Sequence, residues 1–167
     1  MSAKPETERK FLIAMPDEGF LAAQEGALCD RIVQTYLAAE PGVTARVRRR
    51  EGSAGVSYTH TEKRRLTAMT AWEDEREITE EEYLALLKGA DPTLRPIEKR
   101  RYTVPMGDLS LEIDLYPFWK RQAVLEVELP SEETALSLPP YITVLREVTA
   151  DRRYKNVSLA GCIPPED

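Results

Sequence analysis

Histidine and cysteine are nearly missing from this 167-residue chain: His60 stands alone, and Cys29 and Cys162 are the only thiols. One histidine excludes His-rich zinc sites and leaves a Ser/His/Asp triad only if His60 itself serves in it. The two cysteines lack the close spacing of a metal or redox pair, so both are read as reduced thiols. No apolar run approaches the roughly 20 residues that span a bilayer, which argues against membrane insertion. The opening MSAKPETERK has no apolar core of a secretory signal, so a cytoplasmic protein is expected. Positive charge is the minority, with 23 Lys+Arg against 29 Asp+Glu and a net charge of −6. That balance disfavours nucleic acid as a partner held by bulk attraction, and it leaves room for a local basic site.

What the chain does have is 42% hydrophobic and 31% charged residues, the balance of one soluble globular domain. Eight short segments alternate in character and predict strands: Glu6 to Ile13, Ile32 to Ala38, Ala45 to Arg50, Val56 to Lys63, Thr70 to Ile78, Ile97 to Val104, Leu109 to Tyr116 and Ala123 to Leu129. Turn signals such as EPGV, EGSAG and PMGD separate them. Glu18 to Leu28 predicts a helix, and Thr79 with Glu82 forms a capping box for a second one ending at Gly89. Ser131 is placed to cap SEETALSL before Pro139 and Pro140, and Asp151 to cap DRRYKNVSLAG before Gly161. Pro164 to Asp167 read as a frayed end.

Side chains along a strand alternate between faces, so residues two apart share a side. Glu6, Glu8 and Lys10 share one; so do Arg46, Arg48 and Arg50, then Thr59, Thr61 and Lys63, and then Glu73, Glu75 and Glu77. Lys99 aligns with Arg101, Glu112 with Asp114, and Glu126 with Glu128, while Leu111/Ile113/Leu115 and Leu125/Val127/Leu129 make the opposite faces strongly apolar. The plain explanation is a solvated face on each strand. Sorting of the charges by strand into acidic and basic pairs favours another arrangement, a closed antiparallel barrel with the charges inside. Charges withdrawn from water need partners. Carboxylates without histidine or thiolate suit Mg²⁺ or Mn²⁺, and clustered Arg and Lys suit phosphate. The combination describes metal-assisted chemistry on a polyphosphate.

These residues carry a resemblance to the CYTH domain, the triphosphate tunnel metalloenzyme family. Its most specific sign is the opening E-x-E-x-K of Glu6, Glu8 and Lys10, and the likeness continues through IVQTYL, RVRR, Thr61-x-Lys63, Glu73 and Glu75, EKRRY, LEID, LEVEL and EVTADRRYKN. It spans about residues 5 to 160 of a single domain covering 1–167. The resemblance implies an α+β fold: an eight-stranded antiparallel β-barrel forming a tunnel open at both ends, with helices packed outside and a C-terminal helix contributing to the bore. It implies a divalent metal, Mg²⁺ or Mn²⁺, a small-molecule triphosphate substrate, and a homodimer as a common state. Glu6, Glu8, Asp114, Glu126 and Glu128 would be the metal-side acids. Lys10, Arg46, Arg48, Lys63, Lys99, Arg101 and Lys155 would hold phosphoryl oxygens, joined by Arg152 or Arg153. Glu73, Glu75 and Glu112 would be further tunnel acids, and Glu6, Glu8, Lys10 and Lys63 the centre of catalysis.

One departure is Ala71, where relatives often carry an arginine two residues before the middle E-x-E pair, here taken as Glu73/Glu75 with Glu75/Glu77 as the other register. Inorganic tripolyphosphate is the first substrate expected, because no aromatic pair is evident for a thiazolium or adenine ring. Thiamine triphosphate and nucleoside triphosphates come next, then adenylate cyclase chemistry of the class IV type, and outside catalysis a polyphosphate-binding module.

Overall fold

The structure, a computed structural model, describes residues 2–167. Strands β1 (Ser2–Ala14), β2 (Leu28–Leu37), β3 (Val43–Gly52), β4 (Gly55–Arg65), β5 (Thr70–Ile78), β6 (Ile97–Met106), β7 (Leu109–Leu115) and β8 (Gln122–Leu129) form one antiparallel sheet in the order β5-β4-β3-β2-β6-β7-β8-β1. A further β1–β5 pairing, from Ser2↔Glu75 to Thr7↔Thr70, closes the sheet on itself. Closure removes both sheet edges and commits one face of every strand to the interior.

The outward faces make the main apolar core. Phe11, Ile13, Leu111, Ile113, Leu125 and Val127 pack there with Leu21 of α1 (Glu18–Ala22) and with Leu136, Leu138 and Ile142 of the chain that crosses after β8. A second outer cluster joins Val47 and Ile78 to Tyr83 of α2 (Glu80–Leu86), whose Thr79/Glu82 capping box is formed as expected.

Three helix expectations are corrected. The first helix stops at Ala22, because Leu28 is already paired with Thr103 in the β2–β6 ladder. SEETALSL forms no helix: the Ser131 amide and hydroxyl both engage the Thr134 hydroxyl, at 3.2 and 3.1 Å. Leu136 and Leu138, two residues apart, both reach the core, a spacing that extended chain satisfies and a helix does not. The C-terminal helix is divided at Lys155, which is extended, into a 3₁₀ turn over Arg152–Tyr154 capped by Asp151 and the short α3 (Asn156–Leu159).

A ninth strand, β9 (Val144–Glu147), pairs with the lower half of β1, beyond the point where β5 ends. The end of the chain is held rather than frayed. Pro164 O accepts from Trp119 Nε1 at 3.1 Å, Glu166 accepts from the Lys120 and Arg121 amides, and Asp167 takes the Arg146 guanidinium.

Inward residues at this lower end are apolar. Leu12, Tyr36, Ile97, Tyr116 and Val124 pack with Val148, Tyr154, Leu159 and Ala160 of the C-terminal segment. The resemblance implies a bore open at both ends; here the C-terminal segment packs across much of one end. Leu12 has no exposed surface and sits in this plug, so Leu12→Ala should cost about 2–5 kcal/mol, read as a lowered midpoint in urea unfolding.

Candidate active site

Inside the barrel the alternation places charge on charge. A cavity of about 520 Å³ is lined by seven acids (Glu6, Glu8, Glu73, Glu75, Glu112, Glu126, Glu128) and by nine bases. Seven of the bases, Lys10, Arg46, Arg48, Lys63, Arg101, Arg152 and Lys155, are among the expected phosphate-binding set; Arg50 and Arg65 complete the nine. Arg152 faces the cavity, whereas Arg153 turns out to Asp151 at 2.7 Å and lies over the Tyr154 ring. Lys99 and Asp114 are fully buried behind the cavity and do not line it.

Two groups of side chains are satisfied within the protein. Asp114 receives Arg101 through Nε–Oδ1 at 2.7 Å and Nη2–Oδ2 at 2.9 Å, and Lys99 at 2.7 Å. Burial opposes its charge, but Arg101 and Lys99 hold its carboxyl down at about 2. Both Asp114 oxygens are engaged, a contact that would orient Arg101. Arg101 also reaches Glu112 at 2.8 Å and Glu126 at 3.7 Å. Burial, with Arg101 and Arg48 nearby, lowers Lys99 to about 7 despite Asp114. The second group centres on Lys10, whose Nζ lies 3.1 Å from Glu126 and donates to Tyr154 O at 3.2 Å. Glu126, although buried, is held well below the ordinary carboxylate range by Lys10 and Arg101.

Other groups are left short of partners. Arg46 Nε and Arg48 Nε are buried donors with no hydrogen-bond acceptor, and an unmade hydrogen bond in such a place is costly. Burial and the neighbouring Arg46 and Arg101 pull Arg48 down to about 9, the mark of cations crowded without enough anions. On the opposite wall Glu8 faces Glu128 directly across the β1–β8 pair. Burial and the charge of Glu126 push Glu8 up to about 7, and burial with Glu6 raises Glu128. Glu6 is raised by burial, although Lys63 approaches it and Glu73 at 3.2 Å each. Lys63 keeps its proton: burial and Arg46 disfavour the charge, and Glu6, Glu8 and Glu73 outweigh them. At the cavity's rim burial and Lys10 lower Lys155 to about 8. The site therefore holds a wall short of anions and a wall short of cations.

The carboxylate wall fits a hard divalent ion. Its donors are all oxygen, and three of its acids hold protons more tightly than usual because burial disfavours their charge. Among the described residues no three such side chains already form a metal cage. Arg50, Arg65 and Tyr36 also line the cavity without having been singled out as site residues. The first two continue the parity of Arg46/Arg48 and Lys63, which is the signal that finds them. Asp30 anchors Arg50 at 2.6 and 2.8 Å.

Removing Asp114 would strand Lys99 and Arg101 as buried charges. Asp114→Ala should cost about 3–5 kcal/mol in chemical unfolding, more than the loss of any rim charge.

No family model matches the chain. Its sequence is 33% identical over 161 residues to the inorganic triphosphatase of Nitrosomonas europaea, covering 95% of this chain and 99% of that protein. A crystal structure of an inorganic triphosphatase, NE1496, aligns with a TM-score of 0.59 and 30% identity over 96% of this chain and 97% of that one. The PH1819 protein of Pyrococcus horikoshii shares the fold, with a TM-score of 0.60 and 19% identity over 77% of this chain and 80% of that one. The closed eight-stranded barrel, its inward alternation of acids and bases and a relative matched nearly end to end agree: the chain belongs to the CYTH family, the triphosphate tunnel metalloenzymes.

Proposed function

We propose that this protein is a divalent-metal-dependent triphosphatase whose substrate is inorganic tripolyphosphate, cleaved by water to diphosphate and orthophosphate. The observation that carries this reading is the pair of buried guanidinium donors, Arg46 Nε and Arg48 Nε, left without acceptors in a cavity that also displays Lys10, Lys63, Arg101 and Lys155. Phosphoryl oxygens are the acceptors that match them, since arginine's planar fork and lysine's point charge both favour phosphate.

The lining also supports the simplest substrate. Tyr36 is its one aromatic residue among those described. Trp119, Tyr116 and Tyr154 are enclosed in the apolar plug, and Trp72 is exposed on the outer face of β5. No pair of rings is displayed for a base or a thiazolium. The 33% identical inorganic triphosphatase is in keeping with this choice.

Glu6, Glu8, Glu126 and Glu128 are the acids that would hold Mg²⁺ or Mn²⁺, which would supply neutralisation of charge on the phosphoryl oxygens. The chain's own residues do the rest. Arg46, Arg48 and Lys155 fix the substrate along the bore. Lys10 and Lys63, both held near the acidic wall by Glu126, Glu6 and Glu73, offset negative charge as the bond to the departing group lengthens. Of the lining acids not assigned to the ion, Glu73, Glu75 and Glu112 are the carboxylates left to orient the attacking water and take its proton. No covalent intermediate is needed, and a rigid barrel is an appropriate scaffold for a reaction that is mostly positioning.

Phosphate release from tripolyphosphate, thiamine triphosphate and ATP, each with Mg²⁺ and then Mn²⁺, tests the reading. Tripolyphosphate should be fastest. Faster turnover of either organic triphosphate, or no release with any divalent ion, overturns it. Arg46→Ala and Arg48→Ala should each lower kcat/KM by about 10- to 100-fold, the worth of a hydrogen bond to a charged group. Lys155, lowered to about 8, carries charge below that pH and loses it above, so attraction for substrate weakens as pH rises through 8. Lys155→Arg should move this basic limb of kcat/KM upward, and Lys155→Ala should remove it, as read from pH–rate profiles.

A further inference from the structure

We propose that Arg146, which lies outside the cavity, is a positioning residue for substrate binding: it clamps the turn that presents Arg152 and Lys155 to the phosphoryl oxygens. The inference rests on the triphosphate reading of the cavity. Both bases line the cavity, yet the backbone that carries them is short and irregular, a 3₁₀ turn over Arg152–Tyr154 followed by Lys155 in extended conformation. Such a turn has few bonds of its own, here Tyr154 N to Asp151 O and Lys155 N to Arg152 O at 3.2 Å each. Its direction has to be set by what grips it. On the inner side the grip is Lys10 Nζ, which donates to Tyr154 O at 3.2 Å. On the outer side it is Arg146.

Arg146 belongs to β9 and is paired with Leu12 of β1, so its backbone is fixed to the barrel wall. From there its guanidinium bonds in three directions. Nε and Nη2 donate to Asp167 Oδ2 and Oδ1 at 3.0 and 3.1 Å, Nη1 donates to Asp151 Oδ2 at 3.2 Å, and Nη2 also donates to the Tyr154 hydroxyl at 3.0 Å. Asp151 is the cap of the turn and Tyr154 its last residue, so both ends are held. Asp167 is anchored in its own right, because its amide donates to Oε1 of the buried Gln122, on β8, at 2.8 Å. One side chain thus ties β1, β8 and the turn together. Exposed ion pairs taken singly contribute little to stability, and the Arg146 side chain is 38% exposed. Its effect lies in orientation: a planar fork holds three partners at fixed angles, which the single ammonium of a lysine does not.

The experiment measures metal-free tripolyphosphate binding by calorimetry and, with Mg²⁺, KM and kcat for phosphate release. Arg146→Gln should weaken binding and raise KM about tenfold with kcat within about twofold, and Arg146→Lys, which keeps the charge and loses the fork, should do the same. Asp167→Ala should weaken binding about threefold, although it removes a negative charge. A role through charge alone predicts the reverse, tighter binding for Asp167→Ala and rescue by Arg146→Lys, and either result overturns the proposal. In an Arg152→Ala/Lys155→Ala background Arg146→Gln should add less than about twofold, since nothing is left to position. An equal loss in both backgrounds overturns it, as does Arg146→Gln binding within about twofold of wild type. Amide hydrogen exchange reads the clamp without a ligand: Arg146→Gln should speed exchange at Tyr154 and Lys155 about tenfold and leave the β1 and β8 amides unchanged. Unchanged exchange at the turn, or lost protection throughout the barrel, counts against the clamp. Wild type that fails to bind tripolyphosphate, or binds it without releasing phosphate, counts against the triphosphate reading alone, since exchange at the turn still decides the role of Arg146.

Discussion

A closed barrel gives its strands no choice about which face is inside, and here the inside faces are charged. Seven acids and nine bases line one cavity, and each would be prohibitively costly in isolation. Mutual neutralisation is therefore the constraint from which the rest of the site follows. Acids supplied by β1, β5, β7 and β8 lie within reach of bases supplied by β1, β3, β4 and β6, with the C-terminal segment adding Arg152 and Lys155. The outer faces are free to be apolar because they are covered by α1, α2 and the crossing chain after β8.

Neutralisation is complete in some places and incomplete in others, and the difference is informative. Asp114 with Arg101 and Lys99 forms a buried set whose members satisfy one another, and replacing any one of them strands the others. Such a set holds Arg101 still. The Glu8/Glu128 wall and the Arg46/Arg48 wall are not self-satisfied. The stability lost there is what lets a cation and an anion bind, because each brings the missing counter-charge to a place already stripped of water.

The barrel was legible in the sequence because it is written in period two. Thr70 to Ile78 is bounded as the sequence suggests, and the other seven barrel strands shift by a few residues at their ends. The same parity points inward at every charged pair, with Arg50 and Arg65 as its unclaimed continuations. Elements governed by tertiary packing were harder to read. SEETALSL has helix-forming residues and a good cap, yet the outer core takes Leu136 and Leu138 from extended chain. The β9 strand, Val144–Glu147, has a single β-branched residue and no alternation in burial, and it covers only the lower edge of β1. The division of the C-terminal segment at Lys155, which decides that Arg152 and not Arg153 meets the cavity, has no local signal at all.

Asp114 shows where parity stops being enough. It shares a face with Glu112, and parity alone does not tell the two apart. Depth separates them. Glu112 lies toward the open end and lines the cavity, whereas Asp114 lies one step deeper, paired with Arg101 across the β6–β7 ladder and beside Lys99. The same step separates Lys10, which reaches Glu126 in the bore, from Leu12, which is buried in the plug. Alternation tells which side chains point in. The position along the barrel axis tells whether they meet a ligand, another charge or the plug, and that is fixed by strand stagger, which arises only when the sheet closes.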